Sequence, residues 1–216
     1  MKRLFDFLLL VLTLPIWGSV ILICYLLNII FEGFPGFYKS ARYIGNGENI
    51  TVFKFRVMKK QIDKKMNRST IPIDNQIFFN LPIDKEIYTT FGLILERFGI
   101  TELPQFFAVL KGDMSIVGAR PLPYDVYSEL KAQFPKIANK RYLSKCGLTG
   151  LPQIVGRDNL PDNERLNLEA SYCGWVKTNY SFFVDFKILF ITILIVLGFK
   201  KMFTVNEAIH LLKNEP

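Results

Sequence analysis

The run from Phe7 to Phe31 limits what this chain can fold into more than any other feature. It holds 25 residues without a charge, with Lys2, Arg3 and Asp6 before it and Glu32 after it. At about 1.5 Å per residue, a helix of that length reaches across a hydrocarbon core of about 30 Å. No small-residue cleavage site follows "LLNIIFEGF", so the segment is expected to stay with the chain rather than leave as a signal peptide. Pro15 sits inside it, where a proline removes one backbone hydrogen bond and favours a sharp kink. A spanning anchor and a kinked segment that returns to the side it entered from fit the pattern equally well.

Composition narrows the surroundings. Half of the 216 residues are hydrophobic and 20 are Phe, yet 27 Lys and Arg against 19 Asp and Glu leave a formal charge of +8. Grease and positive charge together point to an anionic membrane surface, where each basic residue near the lipid contributes about 1 kcal/mol. Nucleic acid is the other common partner of a basic chain. Here the basic residues are scattered and no zinc-finger or RNA-recognition signature accompanies them, so no nucleic-acid partner is expected. Cys24, Cys146 and Cys173 are odd in number and lack CxxC spacing, which argues against a disulfide framework or zinc site and for a reducing compartment. His210 is the only histidine, so a His-based triad and a metal site with two His ligands are excluded. Catalysis in this chain must run on carboxylates, Lys, Arg and hydroxyls.

Past the apolar run, "EGFPGFYKSARYIGNG" reads as a glycine-punctuated turn region, and "NITVFKFRVM" alternates like a strand. Residues 59 to 86 are polar and lysine-rich and read as a loop or lid. "TTFGLILERFG" and "LPQFFAVLKG" read as two short helices, the second ending at Gly112. "PYDVYSELKAQFPKIANKRYLSK" is an amphipathic helix with a loop after it, "CGLTGLPQIVGRDNL" a turn-rich connector, and residues 161 to 187 mainly helical. Ile188 to Phe199 is uncharged but too short to span, so it is expected in the membrane interface or packed against the first segment.

Few residues here can carry chemistry. Lys54 and Arg56 alternate with Phe53 and Phe55, so a strand sets both bases on one face. An anion site and an ordinary half-exposed strand explain that equally. Arg120 in "VGARPLP" and Arg157 in "VGRDN" each follow a glycine-containing turn, and their planar forks suit phosphate, although a solvated charge is the commoner role for any one arginine. Glu102 opens a helix in "TELPQ", with Thr101 as its N-cap and Pro104 in the first turn. Glu169 in "LNLEASY" reads equally as a surface acid.

Several stretches together resemble a family. They are "KRLFDF" with Pro15 in the first apolar segment, "GFYKSARYIG", "VFKFRVM", "ELPQFFAVLKGDMSIVGARP", "GLTGLPQIVGR" and "NYSFFVDFKIL". The chain resembles the bacterial sugar transferases that start surface polysaccharide and glycan synthesis, the monotopic phosphoglycosyl transferases. The resemblance implies an N-terminal re-entrant membrane helix, residues 1 to 36, broken at Pro15. It also implies a domain over residues 37 to 216 on the cytoplasmic face of the bacterial inner membrane, with a C-terminal interfacial helix. With the pattern along the chain, the expected fold is α+β, mostly helical with a small sheet.

The implied reaction moves a sugar phosphate from a nucleotide (UDP) sugar to a polyprenol phosphate such as undecaprenyl phosphate, with Mg²⁺. An aspartate attacks the sugar-linked phosphate, and the adjacent glutamate handles metal or proton. Glu102 matches that glutamate and the metal position. Lys54, Arg120 and Arg157 match the cations that neutralise the diphosphate, and Glu169 stands where the family has an aspartate, as an accessory acid. Thr101 occupies the nucleophile position, and Glu96 stands where the family has an arginine. The resemblance therefore leaves Glu102 as nucleophile, Thr101 activated by Glu102, or a direct, non-covalent transfer in the same fold as the catalytic choices. It also leaves open a silent member that binds the same ligands and scaffolds a partner transferase. Downstream glycosyltransferases or a second copy are the protein partners implied.

Overall fold

The computed structural model describes residues 1–59, 86–156 and 160–213. Arg157 and the stretch expected as a lid fall outside the described residues, apart from the lid's first and last positions. A single helix, α1, runs from Lys2 to Glu32. Pro15 lies inside α1 without dividing it into two elements. Side chains around the proline feed nearby carbonyls: Thr13 donates to Leu9 O at 2.7 Å, Trp17 Nε1 to Leu10 O at 2.9 Å, and Ser19 to Pro15 O at 2.7 Å. The carbonyl that Pro15 leaves without a backbone donor is that of Val11, four residues back, and these three bonds go to carbonyls on either side of it.

α1 buries one narrow stripe, made of Asp6, Leu10, Trp17, Ile21, Cys24 and Asn28. The spacing of three, four and seven residues keeps these on one helical face. Leu4, Leu8, Leu12, Ile16, Leu22, Ile23, Leu26 and Ile30 are exposed on the others. The helix is long and apolar enough to cross a membrane by length and composition.

Both ends of α1 are fastened to the rest of the chain. At its start, Lys2 Nζ lies 2.5 Å from Asp185 and donates to the Tyr172 hydroxyl at 2.9 Å. Asp6 accepts from the Ser115 hydroxyl at 2.7 Å and from Ile116 N at 3.1 Å, and the Arg3 guanidinium donates to the carbonyls of Val109 and Leu110. At its end, the Asn28 amide donates to Gly36 O and Arg56 O, both at 3.0 Å, while Arg56 donates to Glu32 O at 2.6 Å and Gly33 O at 2.7 Å. Midway, Trp17 meets Phe106 and Phe107 edge-on, with both ring centroids at 5.4 Å.

The segment after α1, read from sequence as a turn region, is mostly a strand. β1, Phe37–Gly45, pairs antiparallel with β2, Glu48–Phe55. Asn46 (φ 52°) and Gly47 (φ 81°) make the connection. Two successive positive φ values are the two-residue hairpin geometry that an Asn-Gly pair favours. A second small sheet pairs β3, Ser115–Val117, in parallel with β4, Gly147–Thr149. Its strands come so close that a Cβ on Gly147 would stand 2.1 Å from Gly118 N, which explains both glycines.

Short helices surround these pieces: α2 (Thr90–Arg97), a 3₁₀ turn (Ile100–Gln105), α3 (Phe106–Lys111), α4 (Tyr124–Gln133) and α5 (Pro135–Ala138). α6 (Leu151–Val155), α7 (Asp162–Asn179), α8 (Phe182–Val196) and α9 (Val205–His210) follow. The expected connector thus contains β4 and α6. α8 buries Val184, Asp185, Ile188 and Ile191 and exposes Phe182, Phe183, Phe186, Phe190 and Ile193. It is apolar on the side turned away from the protein and, through Asp185 and Phe182, packs beside the start of α1. The three cysteines are buried and unpaired.

Candidate active site

The turn that carries Thr101 and Glu102 begins where α2 stops. Gly99, at φ 64°, reverses the chain in a left-handed conformation that suits glycine, and the 3₁₀ turn follows at once. Thr101 is not its N-cap, contrary to the reading from sequence. A threonine cap accepts the N–H of the residue two or three positions on. The third residue after Thr101 is Pro104, which has no N–H. Gly99 takes the cap position, Thr101 lies inside the turn at 5% exposure, and its hydroxyl donates to Glu96 Oε2 at 2.8 Å.

Glu102 faces the other way, into a cluster of cations. Lys54 Nζ, from β2, donates to Oε1 at 2.6 Å. Arg120, from the loop after β3, donates through Nη1 to Oε2 at 2.8 Å and through Nη2 to Oε1. Two parallel bonds from one guanidinium fix orientation as well as charge. Of the sequence-derived candidates, Lys54, Glu102 and Arg120 thus converge, with Thr101 beside them. Arg56 does not join them, because β2 ends at Phe55 and Arg56 turns to the carbonyls at the end of α1.

Glu169 sits elsewhere in the same assembly. It is 1% exposed and pairs with Arg141, whose Nε and Nη2 lie 2.8 and 2.7 Å from Oε2. Arg141 Nη2 also donates to the backbone carbonyl of Arg120 at 2.6 Å. The buried pair therefore supports the Arg120 backbone from behind, and Arg165 approaches Glu169 Oε1 at 3.8 Å. Sequence reasoning passed over Arg141, and nothing in "NKRYLSK" distinguishes it from its basic neighbours.

Electrostatics follow from the crowding. Burial, with Arg120 and Arg42 nearby, pulls the Lys54 ammonium down to about 8, although Glu102 opposes the shift. Burial and then the Arg120 charge hold the Arg42 guanidinium below its ordinary range. Lys54, Arg120 and Arg42 surround one carboxylate, with Asp125 near Arg42, and the excess of positive charge suits a polyanion such as a diphosphate.

Glu102 is the carboxylate that would hold a metal at this point. Among the described residues no three His, Cys, Asp or Glu side chains converge on a cation site, and both oxygens of Glu102 are held by Lys54 and Arg120. Mg²⁺, if held here, would take a Glu102 oxygen together with the phosphates of the substrate, the usual donor set for this ion.

Comparison with known proteins places the chain in a family. A family model described as "Bacterial sugar transferase" matches residues 1–199. The chain is 36% identical over 197 residues to the galactosyl transferase CpsE of Streptococcus agalactiae, covering 85% of this chain and 41% of that protein. It is 34% identical to the uncharacterized sugar transferase EpsL of Bacillus subtilis, covering 89% of this chain and 85% of the relative. It is 32% identical to an undecaprenyl-phosphate galactose phosphotransferase of Salmonella typhimurium, covering 91% of this chain and 40% of the relative. The chain thus spans about four-tenths of the Streptococcus and Salmonella proteins and most of the Bacillus one. With a match over residues 1–199 and the motif residues Glu102, Lys54 and Arg120 gathered at one point, the chain belongs to the bacterial sugar transferase family.

Proposed function

We propose that this protein transfers a sugar phosphate from a nucleotide diphosphate sugar, such as a UDP-sugar, to a polyprenol phosphate such as undecaprenyl phosphate, starting a surface polysaccharide or glycan. The observation that carries the reading is Glu102 clamped between Lys54 and Arg120. Relatives support it by name, among them a UDP-glucose:undecaprenyl-phosphate glucose-1-phosphate transferase of Xanthomonas campestris that is 33% identical over 170 residues.

The clamp suggests an exchange of partners. At rest Glu102 is the counter-ion of two cations. An entering diphosphate offers Lys54 and Arg120 equivalent acceptors, and their transfer to it leaves a Glu102 oxygen free beside the sugar-bearing phosphorus. That oxygen bonds to the phosphorus, the bond from phosphorus to the bridging oxygen breaks, and the nucleoside monophosphate leaves with the electron pair. An oxygen of the polyprenol phosphate then bonds to the same phosphorus, and the Glu102 carboxylate departs.

A carboxylate suits both halves, because the acyl phosphate it forms is as reactive as the diphosphate that replaces it. A threonine phosphodiester does not. Its alkoxide is a far poorer leaving group, and regenerating an anhydride from it runs uphill. Glu102 rather than Thr101 is therefore the nucleophile in this reading.

α1 is read as dipping into the bilayer and returning, because polar contacts fasten Lys2, Arg3 and Asp6 at one end and Asn28 and Glu32 at the other to the same folded body. The phenylalanine row of α8 then lies at the lipid surface, with the folded domain on the cytoplasmic side.

The test is release of UMP by membranes containing the protein, with undecaprenyl phosphate and a panel of UDP-sugars. Release that depends on both substrates is expected, and none with any donor contradicts the proposal. One observation favours a second reading, a silent member that binds these ligands and scaffolds a partner: the Thr101 hydroxyl is occupied by Glu96. Tight nucleotide-sugar binding without turnover in the same assay supports that reading.

A further inference from the structure

The β-hairpin carries a third cation to which the mechanism above gives no task. In the β1–β2 register Tyr38 stands opposite Lys54, and Arg42 opposite Ile50. Opposed residues of an antiparallel ladder share a face, as do alternate residues of one strand. Tyr38, Arg42 and Lys54 therefore lie on one face, the face from which Lys54 reaches Glu102. Next to Arg42, Tyr43 N donates to Leu122 O at 2.7 Å, which ties β1 to the segment two residues beyond Arg120. Burial and the Arg120 charge depress the Arg42 guanidinium, as expected of two cations brought together.

The three cations differ in what occupies them. Lys54 and Arg120 are committed to Glu102. Arg42 Nη1 donates to the carbonyl of Ala41 at 3.2 Å, within its own strand, and among the described residues no carboxylate forms an ion pair with it. It is the cation most available to an incoming anion.

They also differ in position. Phe37, at the start of β1, stacks on Tyr25 of α1 at 4.6 Å, so the Tyr38–Lys54 end of the hairpin adjoins the membrane helix. Arg42 stands four residues further along β1, about 13 Å at roughly 3.3 Å per residue, towards the Asn46–Gly47 turn. A phosphate on a lipid chain arrives from the α1 end. The far end is left to the water-soluble substrate.

We infer that Arg42 binds the nucleoside-side phosphate of the donor and retains the departing nucleoside monophosphate, so that Lys54, Arg120 and Arg42 form a row along the diphosphate. The inference rests on the transferase reading and adds a binding residue to it. The planar fork of an arginine suits a phosphate that must be gripped and then released intact.

The experiment compares the wild-type protein with three variants: Arg42→Gln, Arg42→Lys and Lys39→Gln. Lys39 lies on the same strand but the opposite face, over the Phe53 ring at 5.6 Å, so its loss controls for net charge. Inhibition by UMP, donor KM and acceptor KM are measured for each, with thermal melts to confirm folding. Arg42→Gln is expected to weaken UMP inhibition and raise donor KM by about tenfold or more, the scale of a lost charged hydrogen bond, with acceptor KM unchanged. Arg42→Lys recovers part of the loss, and Lys39→Gln matches wild type. Unchanged UMP inhibition in Arg42→Gln overturns the inference, and so does a rise in acceptor KM alone, which assigns Arg42 to the lipid phosphate. A wild-type protein that neither binds nor releases UMP overturns the transferase reading as well.

Discussion

The Thr101 hydroxyl donates to Glu96 across 2.8 Å. Two of the positions at which this chain departs from the pattern it resembles are therefore in contact, and a change at one is felt at the other. An aspartate at 101 facing Glu96 places two carboxylates within hydrogen-bond distance, where one must hold a proton. Thr101→Asp alone is accordingly expected to lower stability and activity. Thr101→Asp with Glu96→Arg restores an opposite-charge pair and recovers both. A double-mutant cycle on melting temperature and turnover measures the coupling, and additive effects contradict it.

In the proposed transfer, Lys54 is expected to set the alkaline limit. Its ammonium is lowered from 10.5 to about 8, so the cation that meets the diphosphate is lost as pH rises through about 8. The kcat/KM for donor, which reports the free enzyme, is expected to fall above that pH. Lys54→Arg keeps its charge and moves the falling limb upward. A profile flat to pH 10 in wild type contradicts the assignment. For stability the sign is opposite. Between about 8 and 10.5 the unfolded chain holds the proton and the folded one does not, so this group makes stability rise with pH across that window.

Arg141 and Glu169 are buried partners, and removing Arg141 leaves Glu169 with only the longer approach of Arg165 at 3.8 Å. Arg141→Met is expected to cost about 3–5 kcal/mol in denaturant unfolding, while Arg141→Met with Glu169→Leu recovers much of it. Arg141 also holds the Arg120 carbonyl, so any folded Arg141 variant should raise donor KM. If Glu169 instead acts on protons, a folded Glu169→Gln variant changes the pH profile.

The fastening of both α1 ends predicts where they lie in a cell. Cysteines placed before Met1 and at Glu48 should both resist a membrane-impermeant thiol reagent on intact cells and react after permeabilisation. Labelling of only the first on intact cells indicates a spanning helix.

Much of this was legible in the residues. The uncharged run, the alternation of β2, the left-handed Gly112 that ends α3, and the Glu102-to-Arg120 stretch all carry local signals. β1 is less legible because the glycines that flank it carry a turn signal, although Asn46-Gly47 is a hairpin signal in its own right. Pro104, three residues on, removes one of the two N–H groups that a cap at Thr101 could use and leaves only that of Leu103. Arg42 and Arg141 were not legible. Arg42 depends on a strand register and Arg141 on a helix packed from far along the chain, so neither has a signature in its own neighbourhood.

The most direct test of the central claim compares UMP release by wild type, Glu102→Gln and Thr101→Val. If Glu102 is the carboxylate that carries the phosphosugar, Glu102→Gln loses a factor of about 10³ or more while Thr101→Val keeps most of its turnover. Turnover that survives Glu102→Gln and is lost in Thr101→Val contradicts the account.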